Sequence, residues 1–285
     1  MRKNITTSTY YAQALLECLC SSPLLVDHLP EAVCFDRGKF IHGGKVSAST
    51  DLDNLPELNF SQKLGHLYED ALGYLLEQSP ELELLGQSIQ VFDDNKITLG
   101  ELDYILKDLT NDQFLHLELA VKFYLINYNG SEPTYPGPDP RDNWLNKLAR
   151  MRDHQLQLVN SKHGRRYLLE NYGIEKIVTQ HLVYGKLFDH YKADHKPNPP
   201  SMRADCQRGV WKYLHEWEGD SDASKVKVIP KCLWPTSSIE NVLEKLDVLS
   251  RENFIVEVKQ RCTMIWDEEA QATQFIAPDT WGLEK

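Results

Sequence analysis

No run of about 18 apolar residues occurs in the 285-residue chain, so no transmembrane helix is expected. The N-terminal stretch MRKNITTSTYYAQALLECLC mixes polar residues into short apolar segments and lacks the continuous hydrophobic region of a secretory leader. There is no CxxC pair: Cys18 and Cys20 lie two apart, and Cys34, Cys206, Cys232 and Cys262 are scattered. The expectation is reduced thiols in a cytoplasmic protein. His66, His116 and His154 form no HxxxH spacing, which argues against zinc. The absence of GxxxxGK[ST], GxGxxG and GxSxG removes sequence support for P-loop hydrolysis, dinucleotide redox chemistry and serine hydrolysis. Net positive charge is lacking as well: at −11 the chain cannot coat nucleic acid through a globally basic surface.

What is present is an ordinary globular composition, 41% apolar and 26% charged, enough for a sizeable core. Charge is unevenly distributed. Residues 61–140 hold 4 basic against 14 acidic side chains, whereas 141–200 hold 11 against 6. Such asymmetry suits a cation among carboxylates with a polyanion across the neighbouring surface; a solvated helix face is the plainer alternative.

Helical spacing around Tyr11, Leu15, Leu16 and Cys18 precedes a Gly/Asp/Asn-rich loop over 35–58. Leu64, Leu67, Leu72, Leu75 and Leu76 predict a helix over 61–78 with Ser61 as N-cap. Alternation then predicts an antiparallel meander of strands at 87–92, 98–108 and 114–125. After the Pro/Gly-rich GSEPTYPGPDPRD, a helix is expected over 142–161, then a short helix in GRRYLLENYG and a strand over 177–188. The polar stretch KADHKPNPPSMRAD, 192–205, reads as a linker. Beyond it RGVWKYLHEWE reads as a helix, KVKVIP as a strand, SIENVLEKLDVLS as a helix, and FIVEVKQRCTMIW with TQFIA as a hairpin-like pair. Domains are therefore expected at 1–58, 59–192 and 193–285.

The chemistry concentrates in GELDYILKDLTNDQFLHLELAVKFYL, residues 100–125. Residues two apart on a strand share a face, which groups Glu101 with Asp103 against Leu102, Tyr104 and Leu106, and Glu118 with Ala120 and Lys122. Carboxylates in apolar strands are costly unless paired or bound to a cation. If the polar faces coincide, the oxygen ligands suit Mg2+ or Mn2+, and Lys122 could orient water or stabilise an oxyanion. The alternative is a solvent-facing side of an antiparallel sheet.

This order of helix, three-stranded meander, helix and strand, with Asp103 on the second strand and Glu118 followed by a lysine on the third, resembles the PD-(D/E)XK, or restriction-endonuclease-like, nuclease superfamily over residues 60–190. More narrowly, GELDYILKD, HLELAVKFYL, DHQLQL and VIPKCLWP resemble a bacterial family catalogued as domain of unknown function 1853, over nearly the whole chain. The resemblance implies an α/β fold with a central mixed sheet flanked by helices, followed by a C-terminal α+β extension. It implies Asp103, Glu118 and Glu69 as catalytic and metal-holding residues, with Glu101 as a further ligand or base. The usual lysine position is occupied by Ala120, so the lysine role falls to Lys122, one pleat on. In several nuclease branches the next helix supplies a polar residue, which points to Gln155 or Lys147; with Arg150 and Arg152 these form the expected nucleic-acid contact. The expected activity is metal-dependent phosphodiester hydrolysis, on DNA more readily than RNA. The alternative is an impaired nuclease fold that binds nucleic acid or a protein. Glu257 and Lys259 match ExK spacing, with Asp247 upstream, but Asp247 falls in a helical pattern, so they read as a chance match. Trp144, Trp211, Trp217 and Trp234 read as packing residues that hold the C-terminal part on the core.

Overall fold

The computed structural model describes residues 6–41, 55–128, 132–194, 196–221, 223–237 and 239–283. Most of the expected 35–58 loop, 42–54, lies outside them. In chain order the elements are α1 (Thr7–Ser21), β1 (Val33–Cys34), α2 (Leu64–Glu77), β2 (Leu82–Phe92), β3 (Thr98–Asp108), β4 (Gln113–Ile126) and α3 (Trp144–Arg150). There follow α4 (Lys162–Tyr172), β5 (Val178–His190), β6 (Arg208–Tyr213), α5 (Leu214–Asp220), β7 (Lys225–Val228), β8 (Asp247–Ser250), α6 (Arg251–Val258), β9 (Thr263–Asp267) and β10 (Ala272–Ala277).

The strands form one mixed sheet in the order β2-β3-β4-β5-β6-β10-β9-β7-β8, with β1 paired to β5. β2 to β4 are the antiparallel meander; β5 then runs parallel to β4 from the Leu115–Val178 pair to Ile126–Asp189. The sheet continues across the polar stretch 192–205, because β6 lies parallel to both β5 and β10. Helices cover both faces. α1 and α2 bury Leu15, Leu19, Leu67, Tyr68 and Leu72 against Tyr104, Leu117 and Leu125. On the opposite face Trp144 and Leu148 of α3 pack on Tyr124 and Val183, and Leu168 of α4 on Ile89 and Leu102.

Several local expectations are corrected. Ser61 does not cap α2: its N–H donates to Asn59 Oδ1 at 3.0 Å in a turn, and the helix starts three residues later. The helix expected over 142–161 breaks into α3, a π-helical turn at Met151–Gln155 and a 3-10 turn at Leu158–Asn160. RGVWKY is a strand, because its backbone bonds β5 and β10 on either side. SIENVLEKLDVLS gives only a 3-10 turn at Glu240–Lys245, then β8 carrying Asp247. FIVEVK is helical, within α6, where Ser250 Oγ accepts the Asn253 N–H at 3.3 Å. An N-cap serine with Glu252 in the first turn was the available signal.

Candidate metal centre and its cleft

The site forms where β3 and β4 part. Their ladder ends at the Tyr104–Leu117 pair, and beyond it the Asp103 carboxylate takes over as acceptor, Oδ2 receiving the Leu119 N–H at 2.8 Å. Opposite Asp103 on β2, Ser88 has φ 52° between the Gln87–Tyr104 and Ile89–Leu102 pairs. The faces exchange here. Leu102 packs with Ile89 and Ile105, while Tyr104 and Leu106 join the other core, so the expected grouping of Leu102 with Tyr104 is corrected by the twist.

On β4 the alternation holds: Leu117, Leu119 and Phe123 face α1 and α2, while Ala120 and Tyr124 belong to the core under α3. Glu118 is 3% exposed, and His116 Nε2 lies 2.8 Å from its Oε1. Burial pushes the His116 imidazole down to about 3, so it stays neutral. Gln155, in the π-helical turn, donates to Glu118 Oε2 at 3.4 Å, and its own Oε1 accepts from Lys147 Nζ at 2.7 Å. The five-residue turn thus carries Gln155 back over β4. Gln155 and Lys147, the two residues expected from the following element, stand together beside Glu118, whereas His116 was missed as a carboxylate partner, although the HxE spacing that places His116 and Glu118 on one face was readable.

The electrostatics mark a site short of positive charge. Burial, then the neighbouring Glu118, raises the Asp103 carboxyl well above the usual range, against the opposing Leu119 hydrogen bond. Burial, then Glu69 and Glu101, raises Glu118 to about 8, while Lys147 works the other way. Lys147 is itself held down to about 8, by burial and by the Lys122 and Arg150 cations. Lys122 turns aside: its ammonium lies 3.8 Å from Asp142. Arg152 pairs with Glu31 through contacts of 2.6 to 2.9 Å, so its guanidinium is engaged within the protein. Arg150 is exposed on the last turn of α3. Glu69 approaches from α2, its Oε2 3.1 Å from His66 Nδ1, and its backbone carbonyl accepts from Tyr104 Oη at 2.5 Å.

Buried, oxygen-only donors with raised carboxyls fit a hard divalent cation. Among the described residues no group of three or more His, Cys, Asp or Glu side chains is placed so that it could hold a metal ion. The candidate donors are Asp103 and Glu118, with Glu69 and Glu101 as neighbours in the same electrostatic field.

Asp103 and Glu69 open on a cleft of about 1080 Å3, and Glu118 lies behind its lining, where Gln155, itself a lining residue, donates to it. β4 residues Leu119–Phe123 form its floor, and Lys63 to Glu69 and Pro138 to Lys147 flank it. The far wall comes from the C-terminal third: Val228 to Trp234, Asp247, and Glu257 to Thr263. Asp247 and Glu257, read from sequence as a chance match, line the same cleft, one on a strand and one on a helix.

The fold and site define a mixed α/β protein whose large central sheet, flanked by helices, presents buried carboxylates to a cleft. The family described as Domain of unknown function (DUF1853) matches residues 45–272, and the chain belongs to it. None of the curated proteins and none of the solved structures matches the chain. Among the described residues no helix is long and apolar enough to cross a membrane.

Proposed function

We propose that this protein hydrolyses nucleic-acid phosphodiesters with a divalent cation, on a restriction-endonuclease-like fold. The observation that carries the reading is the pair Asp103 and Glu118: buried together where two strands diverge and raised in pKa by burial, with Asp103 lining the cleft and Glu118 directly behind it. Asp103 and Glu118 would hold Mg2+ or Mn2+, with Glu69 or Glu101 completing the donors; the ion supplies Lewis acidity and charge neutralisation at phosphorus.

The chain's own groups do the positioning. His116 and Gln155 fix both oxygens of Glu118. Gln155 also directs the Lys147 ammonium, which supplies the positive charge the motif assigns to its lysine. Lys147 fits that role better than Lys122, because Lys147 acts electrostatically on Glu118 whereas Lys122 leans on Asp142. DNA remains the expected polymer ahead of RNA.

The test is Mn2+ titration calorimetry on wild type, Asp103→Asn and Glu118→Gln, followed by cleavage assays. Binding lost in both variants, with cleavage lost alongside, supports the reading. No Mn2+ binding to folded wild type, with or without oligonucleotide, refutes it. Mn2+ binding and nucleic-acid affinity without cleavage would favour the impaired binding module, for which the displacement of Lys122 speaks.

A further inference from the structure

We infer that the cleft receives a single-stranded stretch of nucleic acid, gripped on its far side by Lys231 and Arg261, and refuses intact duplex. The inference rests on the hydrolase reading above for the identity of the polymer, and adds its form. Three observations lead to it: the depth of the carboxylates, the rigidity of the far wall and the location of its cations.

Asp103 is 9% exposed and Glu118 3%, so the reacting phosphate must come down into the cleft. A duplex, with a persistence length of about 50 nm, would have to be bent at a cost on the order of 1–6 kcal/mol to bring one phosphate down to a buried carboxylate. A single strand bends at each nucleotide. The cleft's 1080 Å3 stands at the upper end of the roughly 300–1,000 Å3 range of ligand sites and has room for a few nucleotides.

The far wall is built in. The Ile229 N–H donates to Met264 O at 2.9 Å, and Trp234 Nε1 donates back to Ile229 O at 2.9 Å. Trp234 meets Phe123 of β4 edge-on, with centroids 5.5 Å apart, and Phe275 at 4.7 Å. Tyr68, the residue before Glu69, donates to Cys232 O at 3.1 Å. The 229–234 segment is thereby tied to α2 and to β4, two of the three elements that carry candidate ligands. Trp234 is spent on this packing; it holds the wall and does not stack on bases.

On that wall Lys231 is exposed above the Trp234 ring, and Arg261 is exposed beside Glu257 at 2.9 Å. Both line the cleft, as do Lys63, Lys122 and Lys147. Carboxylates of Asp139, Asp142, Asp247 and Glu257 alternate with these cations, Lys122 leaning on Asp142 and Arg261 on Glu257, so the lining carries no net positive charge and offers separated cations to successive phosphates of one chain.

The experiment is fluorescence anisotropy with a labelled 12-nucleotide DNA single strand, the matching blunt duplex and a duplex with a single-stranded 3′ tail. Ca2+ replaces Mn2+, and binding is read at two salt concentrations for full-length wild type, Lys231→Glu and Arg261→Glu. The expected result is single strand and tailed duplex bound roughly tenfold or more tighter than blunt duplex. Each charge reversal should weaken single-strand binding roughly fivefold and lower the salt slope by about one, while Mn2+ affinity by calorimetry stays unchanged. Blunt duplex bound as tightly as single strand, or single-strand affinity untouched by both reversals, overturns the inference. Mn2+ binding that depends on Asp103 and Glu118 would survive that outcome, so the two readings fail separately.

Discussion

Replacing Glu118 by Gln should make the metal-free protein more stable at alkaline pH. The folded-state carboxyl titrates near 8, pushed up from 4.5 by burial first and then by Glu69 and Glu101. Because the folded value lies above the unfolded one, the folded protein holds this proton more tightly. That contribution is complete below about pH 4.5 and is lost as pH rises through 8. The gap between 4.5 and about 8, at ~1.36 kcal/mol per pH unit, sets a ceiling of roughly 5 kcal/mol. Asp103 is displaced in the same direction and adds to the loss. The assay is urea denaturation in EDTA at a series of pH values from about 5 to about 9. Wild type should lose stability across this range, and Glu118→Gln, an uncharged isostere beside His116 and Gln155, should lose much less, so that the variant is the more stable at the alkaline end. Added Mn2+ should restore wild type most at high pH, where both carboxylates must ionise, and do little for the variant. Parallel profiles for the two proteins in EDTA would refute the reasoning that burial of Glu118 is uncompensated.

Lys147→Met should lower single-turnover cleavage about 10²–10³-fold with Mn2+ affinity retained, while Lys122→Met changes it less than about threefold; the reverse ranking would return the lysine role to Lys122. Gly185→Ala should cost ~3 kcal/mol or more in urea denaturation, because Gly185 has φ 141° and an added Cβ would stand 1.7 Å from Lys122 O on the neighbouring strand. Burial alone would raise the Asp108 carboxyl, but hydrogen bonds from Thr110, Lys39 and Asn111 outweigh it and hold the group well below 3.8. Its stability contribution is present above pH 3.8 and lost as pH falls below it, so Asp108→Asn should cost ~2 kcal/mol at neutral pH and flatten the acid limb of a denaturation profile.

Local periodicity carried far where one segment decides its own structure. The meander strands expected at 98–108 and 114–125 occur at Thr98–Asp108 and Gln113–Ile126, and the 177–188 strand at Val178–His190. Expectations failed where partners distant in sequence decide. RGVWKY carries a helix-compatible pattern, yet β5 and β10 on its two sides supply ladder partners that no window around residue 210 contains. FIVEVK alternates like a strand, but Ser250 caps it and Phe254 and Val258 bury together as one helical stripe. The long helix expected to 161 breaks after Arg150, where the π-helical turn brings Gln155 to Glu118.

The sequence by itself determined the composition of a globular core, the strands carrying Asp103 and Glu118, and the face that Glu118 shares with Lys122 along β4, because strand period two is set by the backbone. Only the tertiary structure decided which groups meet those carboxylates. Lys147 reaches Glu118 through Gln155, Lys122 turns to Asp142, and Arg152 is taken up by Glu31. The cleft wall of Lys231 and Arg261 lies more than 100 residues along the chain from Glu118 and reaches it only because the sheet continues through β6 and β10 and the 229–234 segment docks on Phe123 and Tyr68. Burial and long-range contact, which set charge balance and access, are properties of the assembled sheet and have no local signature in the chain.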